Sequence, residues 1–571
     1  MTSALNHRQQ SNGSNFSLNN TKRFSNGEPL FFAKYPMYKI YTFSFLLVSL
    51  FSLSAQEKIT FPCDLAPYLN QEVTITNPMV VISNSSLENY GQLTLSSHRQ
   101  RIPTEVELPA SSGYLNTLRR NQEERLELAK SSRFSYTDEI GSRRTGSVIP
   151  ELTGTILFQY GKYFIHPTQP VYFENSDRTD APKAMSGINL KVVSANLCHY
   201  IADSLMWSEG NGAKNQPEFN RQREKIIRAL LAMDAGIYAL CEVGEGEKAL
   251  QDLVSGMNRF IGSDDYEYVF DGDVKATRYT KSGFIYHRRL VRPYGTFQFN
   301  EIAELAYLNK RKIAIGFELL SNGERLVVNM NHFISKSSGS GENADQNDGQ
   351  GKSNATRIRE AKATLSFLKK LQYEFNDKDV LVVGDLNAYS QEDPIRILEA
   401  GGLVNEVEKY VPQGYSYTYQ GQVGYIDHVF TTSSLSAQVA EVQPWSVNAD
   451  EVAAIGYKNA EKCLPDKPYR YSDHDPLLTG INLGTSGIAV EEAENELVIT
   501  GSAAQGYLSI HCKGVRFMTV LDLTGKVVYY EHMIGAPDHV LLPTDAISSG
   551  YYLIRVGTDE RCLSAKIRIA R

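Results

Sequence analysis

The chain has 571 residues, 42% of them hydrophobic and 22% charged, a length too great for one hydrophobic core, so about three domains are expected. A formal net charge of -7 excludes a global basic field, and any polyanion would have to be gathered by a local patch or a bound cation. Six cysteines (Cys63, Cys198, Cys241, Cys463, Cys512, Cys562) form no CxxC pair, which leaves no sign of a zinc site or a redox motif. Buried thiols are expected, although export would permit Cys512 to pair with Cys562.

Residues 1–36 are polar, rich in Asn and Ser and without periodicity, and are expected to be a non-native or disordered extension upstream of a start at Met37. Behind Met37 and Lys39, the apolar run Ile40 to Ala55 ends in small residues before Gln56. It reads as a secretory signal peptide over residues 37–55, the alternative being an uncleaved anchor. The mature protein is then secreted or held at the cell surface, with no stable membrane span.

From 56 to 182, short alternating stretches such as Gly91 to Ser96 and Thr153 to Pro167 predict a small all-β domain. Within it, Leu118 to Arg144 carries Arg119, Arg120, Arg125, Arg133, Arg143 and Arg144 among Glu, Gln and Ser. This is expected to be a solvated loop or insertion, the alternative being a nucleic-acid contact surface.

Between 186 and 484 strands and helices alternate. Strands are expected at Leu190 to Asn196, Gly236 to Val243, Ser282 to Arg288, Lys312 to Leu319, Arg325 to Phe333 and Asp379 to Asn387. Asn220 to Met233 places Ile226, Ile227, Leu230 and Leu231 on one helical face, and a long helix is expected at Asn354 to Phe375. This is an α/β domain. From 486 to 571, Arg516 to His532 with its Thr524-Gly525 turn, His539 to Gly557 and Ser564 to Arg571 predict a β-sandwich.

Polar residues recur at the carboxyl ends of the central strands: Asn196, Glu242, His332, Asp385 and Asn387. Asp427 follows a turn, and Asp473 and His474 precede the last strand. Ionisable groups are costly in a packed sheet unless paired or metal-bound, so their convergence on one sheet end points to a site. The sequence offers no GxSxG elbow, and Cys198 and Cys241 show no adjacent base, so covalent catalysis is not indicated and both read as core.

The stretches SANLCHY, ALCEVGEG, VNMNHFISK, ADQNDGQGKSNATRIREA, VVGDLNAYSQEDP, GYIDHVF and YSDHDPL resemble the endonuclease/exonuclease/phosphatase superfamily, and within it the extracellular bacterial nucleases. The resemblance implies a two-sheet α/β sandwich of the DNase I type, flanked by an OB-like domain and by a tail similar to the sorting domains of type IX secretion. It implies a Mg²⁺ ion, with Mn²⁺ or Ca²⁺ as alternatives, on Glu242 with Asn196 and Asp473 nearby. Asp385 and Asn387 would position water and phosphate. His474, held in its tautomer by Asp427, would be general base or phosphate-polarising cation, and His332 would donate to a phosphate oxygen or to the leaving group. Arg311 and Lys336 would contact phosphate. The implied partners are a nucleic-acid substrate, DNA or RNA, and the type IX secretion machinery. Two readings compete: a phosphatase or lipid phosphodiesterase on the same fold, and a catalytically dead surface-binding protein.

Overall fold

The computed structural model describes residues 57–569, apart from 209–210, 273–278, 309–310, 485–496, 503–505, 534 and 560–561. The expected extension and signal peptide lie outside the described residues. Among the described residues no helix is long and apolar enough to cross a membrane.

In chain order the central domain supplies β1 (Leu190–Tyr200), α1 (Gln216–Met233), β2 (Ile237–Gly244), α2 (Lys248–Ile261), β3 (Tyr266–Tyr268), β4 (Thr280–His287), β5 (Val291–Asn300), β6 (Lys312–Leu319) and β7 (Arg325–His332). It continues with α3 (Asn354–Phe375), β8 (Val380–Asp385), α4 (Asp393–Ala400), β9 (Val404–Asn405), β10 (Asp427–Thr431), β11 (Val439–Pro444) and β12 (Leu477–Ile481). The strands form two six-stranded sheets, ordered β3-β4-β2-β1-β12-β11 and β5-β6-β7-β8-β10-β9. Runs such as Val380 to Val383 are apolar throughout because both faces are covered. Val192, Ala239 and Phe284 of the first sheet meet Ile315, Phe317, Val328, Met330 and Val383 of the second.

The helices lie outside. Phe367 and Leu371 of α3 cover the outer face of the second sheet with Val327 and Val382. Ile226 and Leu230 of α1 and Leu253 of α2 cover the first with Val193 and Leu240. Proline in its first turn and the Asn215 side chain, which accepts from the Glu218 amide, start α1. This is the α/β domain that the alternation of elements predicts, in the two-sheet sandwich that the resemblance implies.

The N-terminal region builds one eight-stranded sheet, and the stretch expected as a solvated loop or insertion is so only in part: Arg119, Arg120 and Arg133 are exposed and 129–144 is irregular, but both ends depart from the expectation. A helix runs from Ser112 to Glu123, capped by the Ser111 side chain, and Arg143 and Arg144 are only 4% and 3% exposed. Arg143 stacks over Phe173 at 4.0 Å, and Arg144 donates to Glu451 at 2.6 Å. Asp450 and Glu451, some three hundred positions away, neutralise Arg144, and a local pattern of Arg among Glu and Ser holds no trace of them; Arg143 donates to the Tyr136 carbonyl at 2.7 Å and to Asn175.

The C-terminal region forms a three-stranded and a four-stranded sheet. Ile510 and Leu542 of the first pack against Met518, Val520 and Ile554 of the second, the expected sandwich. Gly525, at φ 83°, makes its hairpin turn. Cys512 and Cys562 are both free thiols.

Candidate active site

The topology gathers the polar residues at one edge. β1 and β2 run parallel, as do β7 and β8, so Asn196, Glu242, His332 and Asp385 all emerge at the same end. β10 is antiparallel to β8 and β12 to β1, so Asp427 and the segment before Leu477 begin where the others finish. Across the second sheet His332 stands beside Asp385 and Asp385 beside Asp427 in direct register. Gly384, at φ 137°, lies so close to the neighbouring strand that a Cβ would sit 1.8 Å from the Asn331 carbonyl oxygen. No other residue fits there.

Imidazoles and carboxylates alternate in a row through the site. His199 Nε2 is 3.4 Å from Glu242 Oε2, and Glu242 Oε1 is 3.9 Å from His332 Nε2. His332 Nε2 is 3.7 Å from Asp385 Oδ2, which is 3.9 Å from His474 Nε2. His474 Nδ1–H donates to Asp427 Oδ2 at 2.9 Å, fixing the tautomer with Nε2 turned toward Asp385. Asn196 Nδ2 donates to Asp385 Oδ2 at 3.3 Å, and the Asn387 amide donates to Asp385 Oδ1 at 2.9 Å. Asn387, at φ 48°, also donates its side-chain amide to the Phe333 carbonyl at 3.2 Å.

Burial works against a charged His474, but the carboxylates of Asp427, Asp385 and Asp473 outweigh it and hold the imidazole well above the ordinary histidine range. Burial likewise pushes the Asp473 carboxyl up, and His474 with Arg470 brings it below its usual value. The Cys198 thiol is raised well above normal by burial and by Asp473 and Glu242, so no thiolate forms there, and Cys241 is fully buried between the sheets. His428 next to Asp427 is a core residue: it bonds the Ala388 carbonyl at 2.8 Å, and burial lowers its pKa to about 4.

Arg311 immediately precedes β6 and donates to Glu301 at 3.1 Å. Lys336 stands in a different setting. Its ammonium bonds the buried Glu392 and the Gln350 carbonyl, and Glu392 accepts in turn from Thr104 of the N-terminal region at 2.8 Å. That pairing accounts for the lysine without any phosphate. Three neighbours escape a reading by strand ends: His199 beside Glu242, Tyr417 with its ring 4.9 Å from that of His474, and Arg470 beside Asp473. His199 lies inside the quoted stretch SANLCHY and Arg470 is four residues before His474, so proximity in sequence was the available signal.

The segment carrying His474 is anchored by the N-terminal region. Asn448 Nδ2 donates to the His474 carbonyl at 2.6 Å, and the amides of Asn448 and Ala449 donate to Asp475 at 2.7 and 3.0 Å. The next residue, Asp450, pairs with Arg99 at 2.6 Å, with Arg144 at 3.5 Å and with Thr145 at 2.6 Å. Asp450→Asn leaves Arg99 and Arg144 buried with one counter-charge fewer. It should cost about 3 kcal/mol of stability, read by denaturant unfolding; a loss below ~1 kcal/mol would show that the knot is not essential.

The donor set suits a hard divalent cation, since Glu242, Asp385 and Asp473 offer carboxylate oxygens. Ligand atoms of Asp385, Asp427 and His474 also lie within 4.8 Å of one another. Asn196 is arranged differently from a free ligand, its oxygen accepting from the Cys198 amide at 2.9 Å.

A two-sheet α/β sandwich of the DNase I type, with this row of histidines and carboxylates along one edge, defines a phosphoesterase hydrolase. Residues 211–474 match the sequence model of the Endonuclease/Exonuclease/phosphatase family, and the chain carries a domain of that family. Among solved structures it is similar to the human nocturnin catalytic domain with bound sulfate anion, at 13% identity and TM-score 0.33 over 52% of this chain and 94% of that one. A mannosyl-6-phosphatase from Bacteroides thetaiotaomicron is 16% identical, TM-score 0.33, over 51% of this chain and 99% of that one. D. rerio TDP2 complexed with single strand DNA product is 14% identical, TM-score 0.34, over 51% of this chain and 98% of that one. No curated protein matches the chain.

Proposed function

We propose that the protein is a secreted, divalent-metal-dependent phosphodiesterase that hydrolyses nucleic acid. The observation that carries the chemistry is the unbroken row Glu242, His332, Asp385, His474, Asp427. Glu242, with Asp473 and Asn196, would hold the cation, which supplies positive charge to an anionic diester as its transition state forms. His474, kept in one tautomer by Asp427, takes a proton from water at Nε2 while the water oxygen bonds phosphorus. Asp385 and Asn387 orient that water and the phosphate. As the bond from phosphorus to the ester oxygen breaks, His332 gives that oxygen a proton. Nucleic acid is favoured as the diester by the stretch from Ala344 to Ala361, which resembles the secreted nuclease branch. Its Asp348 carbonyl accepts from the Ala110 amide of the N-terminal region at 3.1 Å.

Export would follow from the signal peptide over 37–55 and from recognition of the tail by the type IX machinery. The tail has its own core, and no proposed site residue lies beyond His474. Incubating the purified protein and Mg²⁺ with supercoiled plasmid, RNA, sphingomyelin and a phosphomonoester tests the substrate class. Nicking followed by linearisation is expected. Turnover of the lipid or the monoester with the plasmid left intact would overturn the reading.

A further inference from the structure

We propose that His199 is an additional ligand of the cation on Glu242, and that it shifts the site toward Mn²⁺ over Mg²⁺; this rests on the metal-dependent reading above. The reason lies in how β1 ends. Between the pairs Asn196 with Cys241 and Tyr200 with Val243, β1 advances four residues while β2 advances two. The surplus forms a bulge, a device that re-aims a side chain beside a site.

Three residues around it adopt left-handed backbone that side-chain-bearing residues seldom take: Cys198 at φ 52°, His199 at φ 56° and, facing them, Glu242 at φ 59°. The surroundings enforce this. Asn196 Oδ1 accepts from the Cys198 amide at 2.9 Å, and Gln222 donates to the Cys198 carbonyl at 3.0 Å. Gly212 packs so tightly on the His199 carbonyl that a Cβ would lie 2.1 Å from its oxygen.

The result is a double approach to one oxygen. The His199 amide donates to Glu242 Oε2 at 2.9 Å, and ring Nε2 stands 3.4 Å from the same atom. With its side chain 33% exposed, the ring is reachable by an ion entering from solvent. Once a cation sits on Glu242, the neutral imidazole is within a ligand's reach of it. Mg²⁺ strongly prefers oxygen and keeps its waters, whereas first-row transition ions accept imidazole nitrogen. A His at this position therefore discriminates between ions that an all-oxygen site would treat alike.

The test is metal binding to the full chain, without substrate. Mn²⁺ affinity is read from the spin-resonance signal of the free ion, and Mg²⁺ affinity by displacement. His199→Asn is the first variant because Asn tolerates left-handed backbone; His199→Gln is the second. Both should weaken Mn²⁺ binding about tenfold or more while changing Mg²⁺ by about twofold or less, and should remove nitrogen modulation from the bound Mn²⁺ spectrum. An unchanged Mn²⁺ to Mg²⁺ ratio in both variants would overturn the proposal. Glu242→Gln separates the two readings: losing both ions supports the site, and binding both normally would sink the metal-dependent reading itself.

Discussion

Glu242→Gln should fold as the parent does and lose on the order of 10²-fold or more of its hydrolytic rate. The amide keeps the shape of the carboxylate and can still accept from the His199 amide, which now reaches Oε2 at 2.9 Å. What disappears is one negative charge facing the cation, and a bound cation contributes several kcal/mol to stabilising a phosphoryl transition state. Raising Mg²⁺ should recover part of the rate, because weaker binding yields to mass action. The check is a rate measured across Mg²⁺ concentrations, beside a thermal melt that shows the fold is unchanged. Normal turnover at low Mg²⁺ would remove Glu242 from the metal site.

The second large effect separates the two histidines. His474 is paired to Asp427 and faces Asp385, while His332 lies between Glu242 and Asp385 on the leaving side of the proposed reaction. A base must be neutral to act, and the surrounding carboxylates favour the protonated form of His474. The rate should therefore rise with pH through the pKa of His474 and fall below it. Asp427→Asn removes one of the charges that raise that pKa, so the acidic limb should move to lower pH even as the maximal rate drops. His474→Ala should lose on the order of 10²-fold or more on any diester. His332→Ala should cost that much on DNA but far less on bis-nitrophenyl phosphate, whose leaving group needs no proton. Equal losses on the two substrates would assign His332 to charge stabilisation and end the division into base and acid.

Much of this site was legible because strand ends are legible. Apolar runs such as Val380 to Val383 have to be strands, and a carboxylate placed directly after one has to emerge at a sheet edge. Asp385, Glu242 and His332 follow from that rule, and the helices from their apolar faces. The rest depended on contacts distant in sequence or on backbone conformation. Arg144 looked like part of a solvated stretch because its partners Asp450 and Glu451 belong to another region. Lys336 looked free to meet phosphate, but its charge is taken up by Glu392. His199 sits where the ladder between β1 and β2 shifts register, and the left-handed residues at that shift, which set how it meets Glu242, leave no pattern in the sequence. Helix Ser112–Glu123 escapes a reading by pattern for a local reason: its buried Tyr114, Thr117 and Asn121 form a weakly apolar stripe.

Cation dependence tests the central claim most directly. Protein stripped with EDTA should leave supercoiled plasmid intact, and adding back Mg²⁺ or Mn²⁺ should restore nicking and then linearisation. Cleavage by the stripped protein at the rate of the untreated enzyme would contradict a site built around a divalent ion on Glu242.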